Sequence, residues 1–170
     1  SLDAVRREAE AWLAADPENE VAYREIGRAY ERAFGANEAL DVLRQGRDII
    51  GPGALAMEIG DLLAATGRTA EAADEWAVAV GDDAAQVSTV TRRVQGLTED
   101  SDQAARRIVD RLAASDMLPR RRAAARVALD LGVGATALDL VRAVAGDLDG
   151  RARTTFLADA ARRARDAGMA

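Results

Sequence analysis

The chain has 170 residues and a net charge of −6, which suits one domain with a substantial core and offers no basic excess for nucleic acid. It has no cysteine, histidine or lysine, so disulfides, zinc–cysteine centres, thiol nucleophiles and imidazole or amine bases are excluded. Apolar residues reach 49% with only 4% aromatics, much of the share being alanine, which favours closely packed helices over strands.

No apolar run approaches the about 18 residues that a membrane span needs, and no membrane insertion is expected. Asp, Arg and Glu interrupt residues 1–15, so no signal peptide is read there. Missing cysteine does not separate the cytoplasm from other compartments, and the cytoplasm is only slightly favoured. The all-arginine, alanine-rich bias is that of a GC-rich bacterial genome, an association rather than a physical inference.

Periodicity predicts an all-α chain of about ten helices, at 2–15, 20–33, 37–50, 54–66, 69–80, 84–97, 101–115, 119–131, 135–146 and 151–167. Pro17, Pro52 and Pro119 fall between the periodic segments, and Gly35, Gly67, Gly132 and Gly168 each follow one. Connections of two to five residues by this reading force neighbouring helices to pack antiparallel.

The first helix carries a stripe of Leu2, Val5, Ala9 and Trp12 that lacks a partner on one side. That predicts a fragment of a longer array, or a contact with another chain. In the second, Tyr23, Ile26, Gly27 and Tyr30 share a face, and Ala56, Ile59, Gly60 and Leu63 repeat it in the fourth. Glu25-Ile26-Gly27 recurs as Glu58-Ile59-Gly60, and Glu38-Ala39 recurs at the same offset of 33 as Glu71-Ala72. A glycine between large apolar residues lets a neighbouring helix lie against the backbone, which justifies its helix cost of roughly 1 kcal/mol.

Residues 84–118 keep only the helix-pair rhythm. Further on, Gly132 marks a turn, with Val141 and Val144 facing inward. The last helix places Phe156, Leu157, Ala160 and Ala164 on one face and Asp159, Arg162, Arg163 and Asp166 opposite, as a capping helix over an array's end would.

On these residues the chain resembles the tetratricopeptide repeats, helix-turn-helix units of about 34 residues. Residues 20–51 and 53–84 carry the likeness best. Tyr23, Ile26-Gly27, Tyr30 and Ala39 match the motif in the first, and Ile59-Gly60, Leu63, Gly67, Ala72, Trp76 and Ala79 in the second. Gly35 sits one residue late, Gly46 replaces an expected alanine and Gly51 stands where a proline usually falls. The resemblance implies one domain over 1–170: a right-handed α-solenoid of antiparallel helix pairs, with degenerate pairs over 84–146 and a cap at 151–167.

Candidate chemistry is sparse. Asp82-Asp83 and Glu99-Asp100-Ser101-Asp102 precede predicted helices, where capping explains them better than cation binding. Asp147-Leu148-Asp149-Gly150 lacks the third acidic position and the closing glutamate of a calcium loop. Arg92-Arg93, Arg106-Arg107, Arg120-Arg121-Arg122 and Arg162-Arg163 have no stacking aromatics beside them, and internal salt bridges such as Asp159 with Arg163 account for them. No phosphate-cradling or nucleophile motif occurs. No enzyme, metal, cofactor or nucleic-acid partner is expected.

The resemblance implies a non-catalytic scaffold that binds a peptide or protein segment, acidic if the arginines engage it, in a concave groove. Its groove positions are Arg24, Arg28, Glu31 and Arg32, then Met57 and Asp61, then Arg122 and Arg126. The family's lysine-and-asparagine clamp is not carried over, because the chain has no lysine and neither Asn19 nor Asn37 is on that face. The competing expectations are an accessory segment of a larger enzyme or transcriptional regulator, and self-association through the first helix.

Overall fold

The computed structural model of the chain describes residues 1–169. It is all-α, with ten helices and no strand among the described residues. These are α1 (Leu2–Ala15), α2 (Glu20–Phe34), α3 (Ala36–Ile50), α4 (Ala56–Ala65), α5 (Thr69–Ala79), α6 (Val87–Gln95), α7 (Ser101–Ala113), α8 (Leu118–Asp130), α9 (Gly134–Gly146) and α10 (Gly150–Asp166). Contacts divide the chain into two compact units, Ser1–Glu75 and the part from Trp76 onward, with the division inside α5.

In the first unit α1 packs on α2, α2 on α3 and α3 on α4. Asn19 caps α2 by accepting from the Ala22 N–H at 3.0 Å. Gly35 alone joins α2 to α3, at φ 107, shorter than any connection expected from the sequence. The core comes from the repeated face: Tyr23, Ile26 and Gly27 of α2 are buried, as are Ala56, Ile59, Gly60 and Leu63 of α4. They meet Leu40 and Leu43 of α3, and each fully buried Leu or Ile contributes about 1.5–3 kcal/mol.

Two glycines set the spacing. A Cβ on Gly27 would lie 2.8 Å from Leu43 Cδ2, so α3 is close against the α2 backbone. A Cβ on Gly46 would lie 2.6 Å from the Tyr23 ring and 2.9 Å from Leu55 Cδ1. The glycine that departs from the repeat pattern is therefore a packing site for Tyr23. Leu55 drops its buried side chain there from a left-handed backbone, φ 59, which is why α4 begins at Ala56 rather than 54. Arg47 closes the unit, donating to Glu75 at 2.9 and 2.6 Å and to the Ala54 carbonyl at 2.9 Å.

In the second unit α8 packs on α6, α7, α9 and α10. Ala123, Ala124, Ala125, Val127, Ala128 and Leu129 are all buried on it. Packing against four other helices favours small side chains, and four of these six are alanine. Arg120 donates to the carbonyls of Ala77 (3.0 Å) and Gly81 (3.2 Å), satisfying the open end of α5. Gly132 closes α8 at φ 71, with its N–H on Leu129 O and the Val133 N–H on Ala128 O; Gly67 and Gly168 close α4 and α10 the same way.

Several expectations are corrected. The helix predicted at 84–97 starts only at Val87, because Ala84 is left-handed (φ 60) and the Gln86 N–H turns back onto Val80 O. Neither acidic group makes a side-chain cap: Gln86 holds the N-cap position of α6, and Asp100 holds that of α7 without a side-chain bond, although Asp102 does stand in the first turn of α7. Asp83 instead accepts from the Ala85 N–H within the turn. Leu157, predicted to face inward, is 39% exposed, and it is Asp159 and Arg163 that turn towards α8.

Candidate functional site

The second unit carries two clefts, about 250 and 420 Å³, both lined by Arg126. Together they form a groove along α8 with α6 on one side and α10 on the other. Arg122 and Arg126, four residues apart, lie on the same face of α8, with Val87, Ser88, Thr91 and Arg92 of α6 opposite Phe156, Arg162 and Arg163 of α10.

The arginines here are not equivalent. Arg163 is held by two carboxylates: it donates to Asp130 at 2.7 and 2.9 Å and to Asp159 at 2.8 Å. Arg162 also bonds Asp159. The hydrogen bond from Arg163, with the charges of Arg163 and Arg162, holds the Asp159 carboxyl below its ordinary pKa against the opposing effect of burial. Arg126 donates from Nη2 to Ser88 Oγ at 2.7 Å. Its Nε is buried and has no hydrogen-bond partner, since Asp130 Oδ2 is 3.6 Å away and already serves Arg163. Arg122 is exposed, its guanidinium 5.7 Å from the centroid of Phe156, and no ion pair joins it to another described residue. Chemically the groove offers unused guanidinium donors over an apolar ring, which suits a carboxylate or a backbone carbonyl.

The other sequence-predicted positions lie in the first unit. Arg24 of α2 bonds Glu20 at 2.9 Å and also Glu58 of α4, while Arg28 bonds Glu25 at 2.7 Å. Glu20, Glu25 and Glu58 thus pair with Arg24 and Arg28. Glu31 and Arg32 are exposed; Met57 and Asp61 on α4 are half-buried. Among the described residues, no group of three acidic side chains is placed to hold a metal ion, and no helix is long and apolar enough to cross a membrane.

A third cleft, about 460 Å³, lies between α1 and α2. It shows what the unpartnered stripe does: Val5, Ala9 and Trp12 form one wall, Ile26 and Ala29 the other, and Glu8 and Glu25 stand beside them. The stripe and its packing on the second helix are legible in the sequence; the individual residues Glu8, Glu25 and Ala29 around it are not. Ser88, Asp130 and Phe156 around Arg126 are not legible either, because nothing local relates α6 to α10.

No family model, curated protein or solved structure matches the chain.

Proposed function

We propose that the chain is a non-catalytic binding module built from tetratricopeptide-like helix pairs, and that the groove along α8 takes a segment of another protein through a carboxylate on Arg122 and Arg126. The packing order supports the helix-pair reading. In the first unit each helix from α1 to α4 packs on the next; in the second, α6, α8 and α10 also pack at every second step. Stacking of that kind sets alternate helices side by side and leaves a groove along them. The absence of histidine, lysine and cysteine supports a binding role over a catalytic one.

One observation carries the ligand chemistry. The exposed Arg122 guanidinium lines the cleft beside Arg126 with no ion pair to a described residue, so it offers charged donors to a bound carboxylate. The expected partner segment carries Asp, Glu or a free C-terminus. Labelled peptides that are acidic, neutral or basic at otherwise equal sequence test this by fluorescence anisotropy. The acidic peptide should bind best and lose affinity as salt rises, and R122A/R126A should weaken it about tenfold with the helix content intact. Equal binding of all three peptides, or an unaffected double variant, sinks the reading.

A further inference from the structure

We propose that the cleft between α1 and α2 is a second, separate docking surface, and that its occupant is a basic amphipathic helix of another protein. The apolar part is well defined. Ala9 and Ile26 are buried at 6% and 4% exposure, whereas Trp12 beside them is 44% exposed. A tryptophan open on the edge of an otherwise apolar cleft is the residue type that anchors protein contacts most often.

The shape suits a helix. Val5, Ala9 and Trp12 follow at four and three residues along α1, so they form a ridge into which the i, i+4, i+7 side chains of a third helix fit. Arg6 near the start of α1 lies over Phe34 at the end of α2, so the two helices run antiparallel and their cleft is continuous. With a rise of about 1.5 Å per residue, α1 accommodates roughly four turns of such a partner.

Charge decides the partner's sign. The unit Ser1–Glu75 holds 16 Asp and Glu against 8 Arg, a balance of 8 − 16 = −8. The charged residues that line the cleft are both acidic, Glu8 and Glu25. Arg6 is already engaged on Phe34 and Asp3, and Glu25 has an exposed pair with Arg28, of the kind worth about 0–1 kcal/mol. Lysine or arginine flanking a partner's apolar face therefore meets Glu8 and Glu25 with little to displace.

The same numbers argue against a second copy of this chain. Two units of −8 repel. Glu8 also falls at the middle of α1, so a two-fold antiparallel pairing of α1 with α1 sets Glu8 against Glu8.

The test uses Trp12 as its own reporter, because the other tryptophan, Trp76, is buried at 2% exposure. Three synthetic peptides of about 18 residues, five turns, are titrated into the full chain. One is a Leu/Lys amphipathic helix, one its Leu/Glu counterpart, and one a scrambled Leu/Lys sequence with no apolar face. The Leu/Lys helix should shift Trp12 emission to the blue and saturate, binding about tenfold or more tighter than either control. E8K/E25K should weaken it by a similar factor, and W12A should do so when read by anisotropy of a labelled peptide. R122A/R126A should leave it unchanged, which separates this surface from the groove along α8. If the reversed variant loses helicity, E8Q, a neutral change at an exposed site, must still weaken binding several-fold. Equal binding of the Leu/Glu or the scrambled peptide overturns the proposal, as does unchanged affinity in a folded E8K/E25K. Sedimentation showing a dimer whose Trp12 is already shielded and insensitive to peptide assigns the cleft to a second copy and overturns it too.

Discussion

Gly27 and Gly46 look alike in the sequence, each inside a helix and each carrying the roughly 1 kcal/mol penalty of glycine there. Their neighbours separate them. An added methyl on Gly27 meets one residue, the end of Leu43 at 2.8 Å, whereas on Gly46 it meets both the ring of Tyr23 at 2.6 Å and Leu55 at 2.9 Å. Tyr23 is buried at 1% exposure and cannot swing away. Gly46→Ala is therefore expected to destabilise by roughly 1–3 kcal/mol despite its better helix propensity, and Gly27→Ala by clearly less. Urea unfolding of the two variants beside the parent measures this; a neutral or stabilising Gly46→Ala contradicts the packing argument. Gly27 was legible because it recurs as Gly60 between apolar residues. The partner of Gly46 lies on another helix, and nothing near it in the chain announces a tyrosine.

Between α8 and α10 the same contrast holds at longer range. The i, i+4 pair Asp159–Arg163 follows from helical spacing alone and is present at 2.8 Å. Its extension to Asp130 on α8 spans 33 residues and depends on how the two helices cross, which no local pattern encodes. This is also why Leu157 was placed inward: a helix with apolar residues over a wide arc has more than one plausible buried face, and the Arg163–Asp130 contact fixes which one is used. The network has a pH signature. The hydrogen bond from Arg163 lowers the pKa of folded Asp159, so the charged pair stabilises the fold above the unfolded aspartate value of about 3.9. That contribution is lost as pH falls through the lower folded value. Asp159→Asn removes it, so the melting temperatures of variant and parent should differ at about pH 6 and converge towards about pH 2. A constant gap across that range refutes a titrating role for Asp159.

Taken over the whole molecule, the charge is divided unevenly. Residues 1–75 balance at −8; the remaining 15 Arg and 13 Asp and Glu give +2, and the two sum to the chain's −6. Every one of these charges is readable in the sequence, but the partition was not, because the division falls inside α5, where helical periodicity continues unbroken. An all-α chain of ten helices was legible because the apolar spacing and the glycine stops repeat many times; where its compact units part was not. The partition predicts opposite responses to salt. In the first unit, pairing every arginine still leaves eight carboxylates unopposed, and their mutual repulsion destabilises the compact state. Its ion pairs, such as Arg24–Glu20 and Arg28–Glu25, are partly exposed, so their loss on screening costs little. Raising sodium chloride from about 0.01 to 0.15 M shortens the screening length from about 30 to 8 Å, which removes most of the long-range repulsion. Amide exchange in α2 to α4 should therefore slow on adding salt. In α7 to α9, where the charges nearly balance, it should stay constant or quicken slightly as pairs such as Arg121–Asp147 are screened. Equal slowing in both sets of helices, resolved segment by segment by mass spectrometry, rules out the uneven charge as the cause.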